Sequence, residues 1–279
     1  MKLTVLVDNN TLIDRYFMAE PGLSLLIEDE DVRVLFDTGY SDLFIRNAQK
    51  MGKDLSRLDY LVISHSHLDH TWGLDPFIRY LTELAIEDRP HTRPKLVGHP
   101  GIFTSAGMDM IPEFGSLMSR EKTARHLPLK LSREPVWLSD RLVFLGEILR
   151  ETEFEGKTAF GQKEGEESPD LVADDSALAY RTEQGLVVIT GCAHAGICNT
   201  ITYAQKVCEE ERIADVIGGF HLLDPPMVQI KMTVDFFRRV SPLAVHACHC
   251  TDLNSKIALA RVAAVKETGV GMTLDYKSK

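Results

Sequence analysis

Three imidazoles and a carboxylate crowd into six residues, His65-Ser66-His67-Leu68-Asp69-His70, directly behind the apolar run Leu61-Val62-Ile63. A short buried strand must therefore deliver a dense set of cation-binding side chains to a loop, and the remaining chain must close around that loop. Alternate side chains of an extended segment share a face, so His65 and His67 aim the same way. A turn after them directs Asp69 and His70 towards a neighbouring point. Imidazole nitrogens and a hard carboxylate oxygen at this spacing supply two ligand sets, suited to one or two divalent ions. Zn is the expected ion; Mn, Fe and Mg are compatible with the same donors.

The rest of the chain has a rhythm that suits such a loop. Apolar runs predict strands at 3–7, 23–28 and 32–36, the last two flanking the acidic turn Asp29-Glu30-Asp31. Helical spacing of apolar residues predicts helices at 41–51, closed by Gly52, and at 74–86. Strands follow at 93–98 and 141–145, while Pro and Gly breaks leave 102–140 without assigned elements. The second half repeats the pattern, with strands at 177–180, 186–190 and 243–245 and helices at 199–209, 228–240 and 254–267. Strand, polar loop and helix in succession predict an α/β fold of stacked sheets covered by helices. With no composition break, 1–279 reads as a single domain. Residues 151–170 are Glu-rich, with Gly156, Gly161, Gly165 and Pro169 and few apolar anchors. They read as a surface loop, either a lid or an inert acidic insertion.

Further candidates sit where strands end. His194 lies in Gly191-Cys192-Ala193-His194-Ala195-Gly196, His221 in Gly218-Gly219-Phe220-His221-Leu222, and His249 in Cys248-His249-Cys250-Thr251. Their small neighbours permit close backbone approach, and each reads as a ligand or catalytic group. His99 is a further candidate; His91, His126 and His246 read as surface or packing residues. Asp37, ending the run to Phe36, is placed either to hydrogen-bond a ligand imidazole or to form an Asx turn. Asp174 and Asp175 precede a strand and suit bridging of metals, substrate binding or capping, with Asp175 preferred. Cys192, beside His194, is expected to support the ligands, and Cys248 and Cys250 to pack or support.

The five cysteines are odd in number and confined to the last third of the chain, unlike a secreted disulfide framework. The N-terminus lacks a signal-peptide pattern and no run approaches a membrane span. A cytoplasmic protein without a membrane partner is expected, and homo-oligomers remain open. Lys and Arg total 31 against 41 Asp and Glu, a net charge of -10. That balance argues against nucleic acid as the main partner. It is compatible with a small anionic metabolite, because bound metal sets the local sign of the field.

His65-Ser66-His67-Leu68-Asp69-His70 resembles the signature of the metallo-β-lactamase superfamily, and Asp37-Thr38-Gly39 the segment upstream of it. The resemblance implies a four-layer αβ/βα sandwich with metal at one edge. His65, His67, Asp69, His70 and His221 carry over as ligands, with His194 and His249 as candidates. A narrower likeness rests on Gly146-Glu147-Ile148, Asp174-Asp175, Gly191-Cys192-Ala193-His194-Ala195-Gly196, Gly218-Gly219-Phe220-His221-Leu222 and Cys248-His249-Cys250-Thr251. These resemble a dihydropteroate-synthase-like branch related to methanopterin biosynthesis. That branch includes an enzyme that joins a dihydropterin carbon to a ribofuranosylaminobenzene phosphate and releases pyrophosphate. The third-ligand position of related hydrolases falls near Asp174-Asp175, and Cys192 stands where they carry a bridging aspartate. The resemblance implies a metal-dependent transferase acting on a small phosphorylated metabolite, with Asp69, His194 and Asp175 as catalytic groups. The alternatives are a hydrolase of a phosphodiester, thioester or lactone, and a non-catalytic metal-containing binding or sensor protein.

Overall fold

The computed structural model describes residues 1–30 and 32–277; Asp31, in the acidic turn, lies outside the described residues. In chain order the strands are β1 (Lys2–Val7), β2 (Ser24–Glu28), β3 (Arg33–Phe36), β4 (Tyr60–Val62), β5 (Lys95–Gly98), β6 (Ala106–Gly107), β7 (Leu129–Leu131) and β8 (Val136–Trp137). They continue with β9 (Leu142–Phe144), β10 (Gln162–Lys163), β11 (Ala177–Thr182), β12 (Gly185–Thr190), β13 (Ile213–Gly219), β14 (Ala244–Cys248) and β15 (Thr273–Asp275). The helices are α1 (Leu43–Lys50), α2 (Leu68–Thr71), α3 (Leu74–Ile86), α4 (Arg120–His126), α5 (Ile197–Cys208), α6 (Met227–Val240) and α7 (Leu253–Ala260).

One sheet runs β15-β1-β2-β3-β4-β5-β7 and the other β14-β13-β12-β11-β9-β8, while β6 pairs with β10 apart from both. The inner strands are buried on both faces, which is why they read as near-continuous apolar runs. Alternation appears instead in where each side chain goes. Leu25, Ile27, Val34 and Phe36 share a core with Leu178, Tyr180, Val187 and Ile189, between the sheets. Leu26 and Leu35 turn the other way, into a core with Leu43 and Phe44 of α1 and Phe77 and Leu81 of α3. Leu186 and Val188 join Ile197 and Ile201 of α5, Phe237 of α6 and Leu259 of α7. Three cores between four layers make the αβ/βα sandwich expected from the sequence.

The expected helix over 254–267 is shorter in the structure. α7 stops at Ala260 because the chain leaves it to pair with β14. Val245 N donates to Ala264 O at 3.1 Å, and Lys266 N to Val245 O at 2.8 Å. The unassigned 102–140 stretch holds α4 and three short strands, β6, β7 and β8. Its helix begins at Ser119, whose Oγ accepts from Lys122 N at 3.2 Å.

Strand direction positions the candidate residues. β3, β4 and β5 run parallel, as do β12, β13 and β14. β1 and β3 both run antiparallel to β2, so β1 shares the direction of β3. The segments that follow these strands therefore leave from their carboxyl ends, where open α/β sheets place their ligands.

Candidate metal centre

The loop after β4 and the loop after β12 meet here. His65, His67 and His194 each offer a ring nitrogen within 4.8 Å of the other two. Nε2 of His65, Nε2 of His67 and both nitrogens of His194 are buried without a hydrogen-bond partner. Buried polar atoms are normally paired, so three convergent, unpaired imidazoles fit a divalent cation. Burial is the main force keeping His65 and His194 well below the ordinary histidine value, and it holds His67 down to about 4. The rings are therefore neutral at neutral pH, the form that donates a lone pair to metal.

A second set lies alongside. Asp69, His70 and His249 also present donor atoms within 4.8 Å of one another. His70 Nε2 is 3.2 Å from His249 Nε2, and Asp69 Oδ2 is 3.3 Å from His249 Nε2. Burial opposes charge on His70, but the Asp69 and Asp37 carboxylates override it and push this ring up to about 9. Burial likewise opposes charge on Asp69, and His70 and His249 pull its carboxyl far below the usual range.

Neighbouring groups fix which nitrogen faces inward. Asp37 Oδ2 lies 2.7 Å from both Ser64 Oγ and His70 Nδ1. An ionised carboxylate only accepts, so Ser64 donates to it and must accept from His65 Nδ1, 2.9 Å away. Asn9 Oδ1 accepts from His249 Nδ1 at 2.8 Å, and Asp8 Oδ1 accepts from His249 N at 2.9 Å. In all three rings Nδ1 is turned to such a partner and Nε2 points inward; on His70 a bound cation would replace the second proton that the Asp69 and Asp37 carboxylates favour. Gly191 makes the arrangement possible. A Cβ there would lie 2.1 Å from Ser64 Oγ, so a larger residue would hold the two loops apart.

Asp174 and Asp175 stand outside the ligand groups and grip one loop each. Asp174 Oδ2 accepts from Ser66 N at 2.7 Å, and its Oδ1 is 2.5 Å from Lys163 Nζ. Asp175 Oδ2 accepts from Ala195 N at 2.8 Å, beside His194, and burial pushes this carboxyl up to about 7. The third-ligand place that the resemblance put near these aspartates is filled geometrically by His194.

His221 belongs to none of the ligand groups found among the described residues. Its ring lies 4.3 Å from that of His194, with a buried Nδ1 that has no partner. His99 is also apart: its Nδ1 accepts from Gly101 N and its Nε2 is 3.3 Å from Glu147. Cys192 and Cys250 both reach the centre, in a group with His249, whereas Cys248 packs between the sheets.

A cavity of about 370 Å³ opens over the centre, lined by His67, Asp69, His194, His221, Phe114 and Phe160 among others. Phe160 comes from the acidic 151–170 segment, its ring 5.1 Å from those of both His194 and His221. Phe114 faces His67 at 5.3 Å. Sequence reasoning missed Asp8, Asn9, Phe114, Phe160 and the position of Cys250. Asp8 carried the signal that marked Asp37, a carboxylate directly after a buried strand.

Residues 18–204 match the model of the metallo-beta-lactamase superfamily, and the chain belongs to that superfamily. Fold and ligand clusters together are those of a metal-dependent enzyme with room for one or two divalent ions. The chain is 29% identical over 272 residues to the 7,8-dihydropterin-6-methyl-4-(beta-D-ribofuranosyl)-aminobenzene-5'-phosphate synthase of Methanocaldococcus jannaschii, covering 92% of this chain and 89% of that protein. This likeness supports the dihydropteroate-synthase-like branch. The crystal structure of Tm1679, a metal-dependent hydrolase of the beta-lactamase superfamily, matches with a TM-score of 0.80 at 29% identity, covering 99% of this chain and 98% of that one. YhfI from Bacillus subtilis, a metallo-beta-lactamase fold protein, shares the fold at 14% identity and a TM-score of 0.59, covering 98% and 99% of the two chains. No helix among the described residues is long and apolar enough to cross a membrane.

Proposed function

We propose that this chain is a metal-dependent transferase acting on a pterin-like pyrophosphate. The bond between the pterin methyl carbon and a pyrophosphate oxygen breaks as that carbon bonds to the amine nitrogen of a ribofuranosylaminobenzene phosphate; the nitrogen releases its proton and pyrophosphate leaves. The observation that carries this reading is the shape of the cavity. One end is a ligand centre suited to cations, and the walls are the flat rings of Phe114 and Phe160. A planar ring with an anionic tail fits that combination. Full-length similarity to the archaeal synthase supports the same reading.

His65, His67 and His194 would hold one ion and Asp69, His70 and His249 a second, with Asp37 and Asn9 orienting the rings. Ions bound there supply the positive charge that offsets the negative charge gathering on the leaving pyrophosphate. Phe114 and Phe160 stack on the pterin and exclude water. His221, with its unpaired Nδ1 beside His194, contacts a phosphate oxygen. Asp175 acts through Ala195, holding the His194 loop in place. Residues 151–170 form the cover of the site, and 1–279 works as one catalytic unit in the cytoplasm.

The metal-loaded protein, given dihydropterin pyrophosphate and the aminobenzene acceptor, is expected to release pyrophosphate and form the joined product. A hydrolase is the second reading, favoured by the similarity to Tm1679; in it Asp69 orients the attacking water. Absence of product, together with cleavage of a phosphodiester, thioester or lactone that His67→Ala abolishes, would replace the transferase with the hydrolase. Metal binding without turnover of any of these substrates would favour a sensor.

A further inference from the structure

The cavity over the centre has two chemically different ends. Ligand residues and the Phe114 and Phe160 rings form its inner part, while Met108, Ile111 and Leu223 line its mouth. These three side chains are 40%, 41% and 56% exposed. Single surface aliphatics need no explanation, but three on the rim of one opening point to something that they cover. Both sides of the rim are held in place. Met108 and Ile111 close a tight turn, each N–H donating to the other's carbonyl at 2.9 Å. That turn follows β6, which pairs with β10 of the 151–170 segment. Leu223 is fixed by the residue that caps α7: Asp252 N donates to Leu222 O at 2.9 Å, and Asp252 Oδ2 accepts from Asp224 N at 2.6 Å. A rim built in advance loses little freedom on binding.

Charge distinguishes the two ends as well. Among the described residues, none that lines the cavity is a lysine or arginine. The charged chain neighbours of the rim residues are Asp109 and Asp224, both negative. Attraction for phosphate is therefore concentrated at the ligand centre. Displacement at the pterin methyl carbon brings the attacking nitrogen in opposite the departing oxygen. With pyrophosphate at the ligand centre, the nucleophile enters from the mouth.

We infer that this mouth is the acceptor subsite, and that Met108, Ile111 and Leu223 recognise the aryl ring of an aromatic amine and not a phosphate attached to it. The inference rests on the transferase reading and adds which part of the acceptor is read. The amine lone pair forms the C–N bond, the electron pair of the C–O bond leaves with pyrophosphate, and the resulting arylammonium gives its proton to water at the open mouth. An aromatic amine suits this place. Its lone pair is delocalised into the ring, so it is unprotonated at neutral pH, and its alkylated cation is acidic enough to need no dedicated base.

The test is calorimetric titration of the Zn²⁺-loaded full chain with ribofuranosylaminobenzene, with and without its phosphate. Hydroxymethyl-dihydropterin and pyrophosphate fill the inner cavity without reacting. Both amines are expected to bind with a negative heat-capacity change, the mark of buried apolar surface. Their Kd values should agree within about threefold, less than a charge-assisted hydrogen bond supplies. Leu223→Ser should weaken both about tenfold, the scale of a lost apolar contact in a pocket, and leave dihydropterin binding as in wild type. Ile86→Ser, on α3 and outside the cavity lining, should change neither. Circular dichroism checks folding, and Ile111→Ser serves if Leu223→Ser does not fold. A loss of about tenfold or more on removing the phosphate overturns the proposal. So does amine binding that wild type lacks or that the rim variants leave unchanged. Product formation from dihydropterin pyrophosphate tests the transferase reading separately. Binding as expected without product overturns that reading and the acceptor role with it, whereas product with an indifferent rim overturns the subsite alone.

Discussion

A histidine ring binds a cation through the nitrogen that its other partner leaves free, and three rings here have that choice made by different elements. Ser64 sets His65, Asp37 sets His70 and Asn9 sets His249. Asp37 is the shared anchor, because it also holds Ser64 through backbone N and Oγ, each at 2.7 Å. Replacing it with asparagine removes the charge and one acceptor. Asp37→Asn is therefore expected to weaken metal binding about 10–100-fold, measured by competition with a chelator; unchanged affinity would show that the carboxylate does not act through His70. The dense His65–His70 run was legible in the sequence because its donors are adjacent along the chain. Asn9 was not, because its partner lies at His249 and only the folded sheets bring them together. Phe160 was hidden for another reason: it is an isolated aromatic in a segment whose average composition reads as solvent-exposed.

At the scale of elements, the 151–170 segment is tied to both halves of the site. Lys163, on β10, pairs with the buried Asp174 that grips the His65–His67 loop. Breaking such a pair strands a charge in the interior, so Lys163→Met is expected to lose about 3–5 kcal/mol of stability, read from urea unfolding. Glu155 accepts from Cys198 N at 3.2 Å and Asn199 N at 2.7 Å, closing the first turn of α5. Burial raises the Glu155 carboxyl above its ordinary value of 4.5. The folded chain thus holds that proton more tightly than the unfolded chain. This contribution is fully present below 4.5 and is lost as pH rises through the raised value. The stability of wild type relative to Glu155→Gln should fall between pH 4 and pH 8; a gap that widens in favour of wild type would contradict the sign. The sequence marked this stretch as a loop from its glycines and glutamates. Its anchoring depends on long-range partners that no local pattern reports. The end of α7 was misjudged similarly: Ala-rich spacing continues past Ala260, but β14 offers an edge that captures the backbone.

For the whole molecule, the donors join loops from both sheets, so an ion bound there links the two halves of the sandwich. Anything that binds only the folded state stabilises it by mass action, about 2.7 kcal/mol when free metal exceeds its Kd a hundredfold. Calorimetry should therefore show a lower Tm after treatment with a chelator and recovery when Zn²⁺ is restored. Identical melting with and without the chelator would mean that the centre does not couple the halves. The layered architecture was readable from apolar runs because both sheets are buried on both faces. Strand order was less so, since β15 joins the first sheet by pairing with β1 across nearly the full length of the chain.

The contact between Asp8 and His249 joins groups 241 positions apart. A ribosome makes the first ligands long before the last, and a chain halted anywhere before His249 carries only a partial set of donors. An ion held by Asp69, His70 and His249 therefore has to wait until His249 has been made. A product truncated before that point would lack this tie between the two halves of the sandwich, and is expected to be cut by proteases more readily than the full chain loaded with Zn²⁺.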